Sequence, residues 1–396
     1  MKHILKQHLT VTFQYEVYFS ENIFSIDNSL FRDALAPYLK PGLVRQLLFV
    51  IDEELSLAHP GLLKQIDVYF QGQVHLALVK EKIIIPGGEV AKNNPYYFNQ
   101  IVEAIHRHKV DRHSFVVAIG GGSVLDVAGY AAAVSHRGIK HIRVPTTVLS
   151  QDDSGVGIKN GINFFGKKNF LGTFAPPIAV FNDYQLLETL SDRHWVAGIA
   201  EAIKVALIKD ATFFEWLRDQ VDGILKRNAD TMKYLIWRSA QLHMDHIASG
   251  DPFELGSSRP LDFGHWSAHK IEQLSDFQIL HGEAVAIGIA LDTTYSFLQG
   301  YLNECDYKEI LRVLQAYELP IFHQLLKDER VISDLLDGLE EFREHLGGKL
   351  TIMLLRAVGV GLEVHEMDHD RIREALARLK KLDEVQQQRK LVSLPD

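Results

Sequence analysis

Residues Phe115–Ile119, FVVAI, are five apolar residues in a row, followed at once by Gly120-Gly121-Gly122-Ser123 and a small-residue stretch, Val124–Val134. An apolar run this short suits a strand buried on both faces of a parallel sheet. The glycines let the backbone approach a ligand with no Cβ in the way, and a helix beginning there offers free N–H groups to a pyrophosphate. The spacing departs from G-x-G-x-x-G, so the stretch reads either as a variant dinucleotide loop or as a plain tight strand-to-helix turn. Both readings commit the chain to a strand–turn–helix unit.

The flanking sequence repeats that unit. Residues 8–20 alternate apolar and polar and read as an amphipathic strand. Leu47–Ile51, Val74–Val79, Lys82–Pro86 and Ile142–Pro145 read as further strands, and 95–108 as a helix. The alternation indicates a doubly wound α/β domain with a parallel sheet. From about Leu186 helical periods take over: Trp195–Ile208, Phe213–Lys226, Thr231–Ala248, Trp266–Leu274, Val285–Gln299, Tyr307–Tyr317 and Ser333–Leu346, with Leu350–Leu355 as a lone strand. At 396 residues two domains are the default. The expectation is an α/β dinucleotide-binding domain over 1–190 and a mainly α-helical metal- and substrate-binding domain over 191–396, with the active site in the cleft.

Net charge of -9 argues against nucleic acid or an anionic membrane as the main partner. The single cysteine, Cys305, excludes an intrachain disulfide framework and fits a reducing compartment. The first 20 residues carry charge where a signal peptide needs an apolar core. No apolar run is long enough to span a bilayer, so a cytoplasmic location is expected.

Three stretches carry candidate chemistry. In Arg259–Glu283, His265 and His269 share a helix face and His281 follows a short loop; neutral imidazoles on helices make good ligands for a divalent metal, though paired histidines are also common surface decoration. In GIAEAIKVALI, Glu201 and Lys204 stand three apart among apolar neighbours. Their burial demands either a plain ion pair or a metal. Glu201 with His265 and His281 has the composition of a catalytic zinc site with positions open for substrate. The third stretch, Asp152–Asn169, reads as a long polar, glycine-rich loop whose lysines and asparagines suit phosphate or sugar hydroxyls. Thr146 and Thr147 precede it at a strand end, where hydroxyls can reach a ligand.

In order, PGGEVAK (86–92), GGGSVLD (120–126), HRG (136–138), VPTTVL (144–149), DSGVGIKNGIN (153–163), GKKNFLGTFAPP (166–177), AEAIK (200–204), FGHWSAH (263–269) and LHGEAVAIG (280–288) resemble the 3-dehydroquinate synthase family of sugar phosphate cyclases over roughly 45–365. The resemblance implies NAD and a divalent metal, zinc or cobalt or another ion, as cofactors. It makes Glu201, His265 and His281 the metal ligands. It sets NAD against Asp52, Glu89, Lys92, Gly121, Gly122, Asp126, Thr146, Thr147, Lys168, Thr189 and Leu190. It places Asp153, Lys159, Asn169, Lys204, His269 and Arg137 in the substrate pocket, with Arg137 reaching the phosphate in a neighbouring subunit, hence a homodimer. The implied reaction is a phosphate-eliminating cyclisation of a seven-carbon ketose phosphate: transient oxidation, loss of phosphate, re-reduction and intramolecular aldol closure.

The sequence also departs from that family. Asp262 stands where dehydroquinate synthases have an asparagine, Ser258 where they have an arginine (with Arg259 one residue late), and Val360 where they have a lysine; the lysine that meets the substrate carboxylate aligns near Met244. Removing cations and adding an anion beside a bound carboxylate is unfavourable in a dry site. The expected substrate therefore lacks that carboxylate, as sedoheptulose 7-phosphate does. Cyclases of that sugar phosphate carry an aspartate at the position of Asp262, yet they usually lose the histidine kept here as His269. The alternatives are 3-dehydroquinate synthase activity proper, a glycerol or iron-type alcohol dehydrogenase, which shares the GGGS-x-x-D turn, and a non-catalytic scaffold.

Overall fold

The computed structural model of the chain describes residues 3–249, 251–253, 260–345 and 348–392. Two compact units emerge. One comprises Met1–Ile119, Ser123–Val144 and Ile158–Asn182; the other comprises Gly120–Gly122, Pro145–Gly157 and Asp183–Asp396.

The first unit is built on strands β1 (Glu16–Ser20), β2 (Arg45–Asp52), β3 (Leu76–Ile85), β4 (Phe115–Gly120), β5 (Lys140–Pro145), β6 (Lys159–Phe164), β7 (Lys167–Phe174) and β8 (Ala179–Asp183). Six of them form one sheet in the order β1-β8-β5-β4-β2-β3. At its centre β2 and β4 pair in parallel, Leu47 opposite Phe115 and Ile51 opposite Ile119. Leu47–Ile51 and Phe115–Ile119 are wholly buried, as strands covered on both faces must be. Helices α1 (Pro95–Arg107) and α2 (Gly122–Val134) follow β3 and β4. Asn94 accepts the Tyr96 N–H, satisfying a free donor at the start of α1.

Sequence and structure differ here at three places. Only Glu16–Ser20 of the expected 8–20 strand forms, since β1 is an edge strand and the residues before it find no ladder partner; alternation alone does not make a strand. Val74–Val79 and Lys82–Pro86 are one strand, β3, whose register against β2 shifts between Leu47 and Phe49. The expected loop over 152–169 is largely ordered. Ser150–Ser154 is a helical turn, and β6 and β7 form an antiparallel hairpin. Its strands meet closely through Gly161 and Gly172: a Cβ on Gly172 would lie 2.8 Å from the Asn160 carbonyl oxygen.

The second unit is mainly helical, with α3 (Asp192–Lys209), α4 (Ala211–Asp219), α5 (Val221–Leu225), α6 (Ala229–Ala248), α7 (His265–Leu274), α8 (His281–Leu298), α9 (Glu304–Ala316), α10 (Glu329–His345) and α11 (His369–Val392). Ser191 and Asn228 cap α3 and α6 by accepting the N–H groups of His194 and Thr231. The helix expected over Phe213–Lys226 is two, because Gln220 leaves helical geometry at φ -104 and ψ 11. α8 is buried continuously from Ala284 to Ser296 and forms the unit's core. A hairpin of β9 (Ile352–Ala357) and β10 (Val360–Val364) completes it, where one strand was expected. Among the described residues no helix is long and apolar enough to cross a membrane. Ser258 and Arg259 lie outside the described residues.

Candidate metal centre and active site

In the second unit, two backbone contacts and one buried carboxylate fix the metal-ligand candidates. A Cβ on Gly282 would sit 1.9 Å from the Ala197 carbonyl oxygen, so the first turn of α8 rests directly on the backbone of α3, one turn before Glu201. That contact sets His281 beside Glu201. A Cβ on Gly288 would lie 2.0 Å from the Gly264 carbonyl oxygen, and Gly264 itself has φ +75, a left-handed conformation that leads into α7. Asp292, buried on α8, accepts the Gly264 N–H and the Trp266 Nε1–H, both at 2.9 Å. His265, between these two anchored residues, is held at the first position of α7. Burial pushes the Asp292 carboxyl up to about 7, against the pull of its two donors.

The Glu201 carboxylate is wholly buried. Its Oε1 lies 3.5 Å from His265 Nε2 and 3.5 Å from His281 Nε2. A tetrahedral ion with bonds of about 2.0–2.1 Å separates its ligands by roughly 3.3 Å, so the spacing fits a bound zinc-like ion. The other ring nitrogens are engaged: His265 Nδ1 faces the Phe263 carbonyl at 3.2 Å, and His281 Nδ1 faces Glu272 Oε2 at 2.9 Å. Metal-binding histidines are oriented in this way, with Nε2 left for the ion. Glu201, His265 and His281 bring their ligand atoms within 4.8 Å of one another. Neither Glu201 oxygen has a well-shaped hydrogen bond among the described residues, although Lys204 Nζ lies 2.5 Å from Oε2. Burial raises the Glu201 pKa, but Lys204 and the two imidazoles outweigh it and hold the carboxyl well below the usual range. Lys204 loses to burial and gains from Glu201, Asp153 and Asp262, and stays protonated. Glu201 is therefore an anion and Lys204 its cation.

His269 adds a third ring, its centroid 5.3 Å from that of His265 and 5.9 Å from that of His281. With Glu272 and His281 it makes a second possible ligand group. In the first group His281 offers Nε2 while its Nδ1 stays with Glu272, which makes that group the better fit. Asp153, on the Ser150–Ser154 turn, meets His243 Nε2 at 3.0 Å. His243 is buried on α6, with Nδ1 2.9 Å from the Ser239 carbonyl. Sequence reasoning passed over His243 and attended to its neighbour Met244; a histidine four residues after a serine in a mixed helix gave no signal until folding set α6 against the turn. Asp152 is wholly buried with neither carboxylate oxygen hydrogen-bonded among the described residues, and burial, then the charges of Asp153 and Glu201, push its pKa well up. It was also missed.

In the same unit a Cβ on Gly121 would touch Thr147 Cγ2 at 3.3 Å, and one on Gly122 would meet Ser154 Oγ at 2.6 Å. The Thr146 N–H donates to the Gly120 carbonyl. Thr189 is exposed, and the Leu190 carbonyl accepts from Arg227 at 2.5 Å.

The first unit gathers a polar network. Lys92, 4% exposed, bonds Asp126 at 2.7 Å and also Asn169. Asn169 takes φ 54 and donates its N–H to Asn163 Oδ1, while Asn163 Nδ2 donates to Glu89 Oε2 and Asn93 Oδ1. Lys168 Nζ stands 3.6 Å from Glu89. Asp52 caps the helix that follows it, through Leu55, and packs against Gly87, where a Cβ would come within 2.6 Å. Lys159 is exposed, its carbonyl held by Arg143 at 2.7 Å. Arg137 is exposed at φ 62 and makes no hydrogen bond or ion pair among the described residues.

Residues 82–197 match the model of the 3-dehydroquinate synthase N-terminal domain, and 198–338 that of its C-terminal domain. The chain is 37% identical over 289 residues to a 3-dehydroquinate synthase of Dictyoglomus turgidum, covering 72% of this chain and 79% of that one. It is 41% identical over 264 residues to the enzyme of a Nitratiruptor species, covering 66% and 71%. Among solved structures it is similar to ValA, the 2-epi-5-epi-valiolone synthase of Streptomyces hygroscopicus, with NAD+ and Zn2+ bound: TM-score 0.84, 28% identity, 95% and 99% of the two chains. The NADH-dependent butanol dehydrogenase A of Thermotoga maritima shares the fold at TM-score 0.64 and 16% identity over 94% and 98% of the chains.

Proposed function

The chain belongs to the 3-dehydroquinate synthase family, and we propose that it is an NAD- and divalent-metal-dependent sugar phosphate cyclase, a carbon–oxygen lyase acting on a seven-carbon ketose phosphate. The observation that carries the reading is the Glu201, His265 and His281 cluster, with both Nε2 atoms turned to one carboxylate oxygen. When bound, the metal would polarise a substrate hydroxyl and NAD+ would take up and later return a hydride.

The chain's own residues supply the rest. Glu201, His265 and His281 would hold the ion. Gly121 and Gly122 would leave backbone N–H groups open to a pyrophosphate, with Asp52, Glu89, Lys92, Asp126, Thr146, Thr147, Lys168, Thr189 and Leu190 around the nucleotide. Lys204, kept cationic by Glu201, Asp153 and Asp262, would stabilise negative charge developing on the substrate. Lys159, Asn169 and His269 would hold the phosphate, and Arg137, exposed and unbonded among the described residues, would reach the site of a second copy in a cytoplasmic homodimer. In this reading 1–190 remains the cofactor domain and 191–396 the metal and substrate domain.

For the substrate, the negative charge of Asp262 acts on Lys204, so that cation is partly spent within the protein. Met244 and Val360 add no cation. A substrate without a carboxylate suits such a site, as it avoids an unpaired anion in a dry environment. The similar fold of a 2-epi-5-epi-valiolone synthase, an enzyme named for a product other than 3-dehydroquinate, leaves room for such a substrate. The test is to incubate metal-loaded protein and NAD+ with sedoheptulose 7-phosphate and with the carboxylated substrate of 3-dehydroquinate synthase, and to follow phosphate release. Release from sedoheptulose 7-phosphate at the higher rate is expected; equal or faster turnover of the carboxylated compound would overturn the substrate assignment. Steady NADH formation from simple alcohols would instead favour a dehydrogenase.

A further inference from the structure

The C-terminal ends of β2, β4 and β5 carry Asp52, Gly120 and Pro145, next to the residues assigned to the cofactor. The opposite ends of the same strands carry a second, unassigned constellation. Arg45 opens β2, Lys140 opens β5, and Arg112 stands in the turn leading into β4, the strand between them in the sheet.

The backbone around these cations is firmly built. Asp111 Oδ1 accepts the N–H groups of His113 and Ser114, at 2.7 and 2.9 Å, and the Ser114 hydroxyl at 3.1 Å. Ser114 Oγ in turn accepts the Gln46 N–H at 3.1 Å, tying the turn to β2, and the Arg45 N–H donates to the His75 carbonyl at 2.9 Å.

The side chains are a different matter. Arg45 is only 8% exposed, its Nε is buried with no hydrogen-bond partner, and its guanidinium makes no hydrogen bond or ion pair among the described residues. The side chains of Lys140, half-buried, and Arg112, exposed, make none either. Burial of such a guanidinium beside two further cations is unfavourable, as for any uncompensated buried charge. Lys140 registers this: burial first, then Arg45 and Arg112, pull its pKa down, and Asp111 alone opposes them. Three cations against one carboxylate leave a net charge of two to be met.

We propose that Arg45, Arg112 and Lys140 form a second anion site, at the N-terminal edge of the sheet, that takes a phosphate dianion, free or as a phosphate ester. A phosphate carries about -1.5 to -2 near neutral pH, which matches the uncompensated charge, and its oxygens suit the fork of a guanidinium. The site is separate from the cofactor and metal residues and does not depend on the proposed reaction.

Calorimetric titration of inorganic phosphate into the metal-loaded full chain, with the Arg112→Ala/Lys140→Ala double variant alongside, tests it. Both residues reach solvent and lie outside the catalytic set, so the variant should fold and turn over substrate as before. We expect its phosphate Kd at this site to rise at least tenfold, with phosphate release from the ketose phosphate unchanged. Arg45→Lys should weaken binding less than Arg45→Gln, since it keeps the charge and loses the fork. Glucose 6-phosphate, titrated the same way, tells the sources apart: tighter binding than inorganic phosphate assigns the site to an ester, weaker binding to the free ion. Identical phosphate affinity and stoichiometry in wild type and double variant would overturn the proposal while leaving the catalytic reading intact.

Discussion

Glu272 decides which nitrogen His281 can offer. Its carboxylate holds Nδ1 at 2.9 Å, from a position 1% exposed on α7, and so leaves Nε2 for the proposed ion. Replacing such an outer partner typically lowers metal affinity 10–100-fold. Glu272→Ala should therefore weaken zinc binding by about that factor, read by competition with a chromophoric chelator; affinity within twofold of wild type would mean that the ring is oriented by packing alone. Asp292 makes a prediction about pH. Its folded-state pKa is raised to about 7, above the ordinary carboxyl value, so the folded protein binds the extra proton more readily than the unfolded chain does. Stability from this group is greatest below the unfolded pKa of about 4 and declines as pH rises towards 7, each unit of difference being worth ~1.4 kcal/mol. Asp292→Asn removes that slope. Denaturation midpoints measured from pH 4 to 7 should fall more steeply for wild type than for the variant, and parallel curves would refute the assignment.

Between elements, glycine sets the distances. The Gly282–Ala197 contact presses α8 onto α3, and the Gly288–Gly264 contact presses it onto the start of α7. Gly282→Ala would drive a methyl group into a carbonyl oxygen and force α8 outward, carrying His281 away from Glu201. Overpacking of this kind costs about 1–3 kcal/mol or more. The variant should melt earlier and retain less metal after dialysis, and unchanged metal content would show that α8 can yield without moving His281. These contacts were not legible in the sequence, where Gly282 stands between two polar residues and Gly288 simply interrupts an apolar run. What the sequence did carry was local: buried strands such as Phe115–Ile119 are unbroken apolar runs, and the long helices of the second unit have a clear period. β8 and β10 escaped notice because Ala179–Asp183 and Val360–Val364 are short and mixed, and become strands only through their partners. The hairpin β6–β7 was hidden by its own glycines, which look like loop until two strands need close approach.

At the scale of the whole molecule, the proposed metal ligands come from three helices separated by 64 and 16 residues in the chain, 201 to 265 and 265 to 281. No spacing rule joins such residues. Their residue types made them a candidate set and the family resemblance implied their role as ligands, whereas His243 and Asp152, which packing of α6 and the Ser150–Ser154 turn sets near Asp153 and Glu201 respectively, had no local pattern to announce them. A ligand set scattered in this way also makes metal binding report on folding. An ion that binds the folded chain and not the unfolded one stabilises it by RT ln(1 + [L]/Kd), about 2.7 kcal/mol at a hundredfold excess over Kd. Wild-type protein stripped with a chelator should therefore melt several degrees lower than protein reloaded with zinc. Glu201→Gln keeps the shape of the side chain but removes its charge, and would also leave Lys204 without its anion, so its apo form should already be less stable than wild-type apo protein. The decisive quantity is the increment on adding zinc: large in wild type, close to zero in Glu201→Gln. An equal increment in both would place the ion elsewhere, with the His269, Glu272 and His281 group the next position to test.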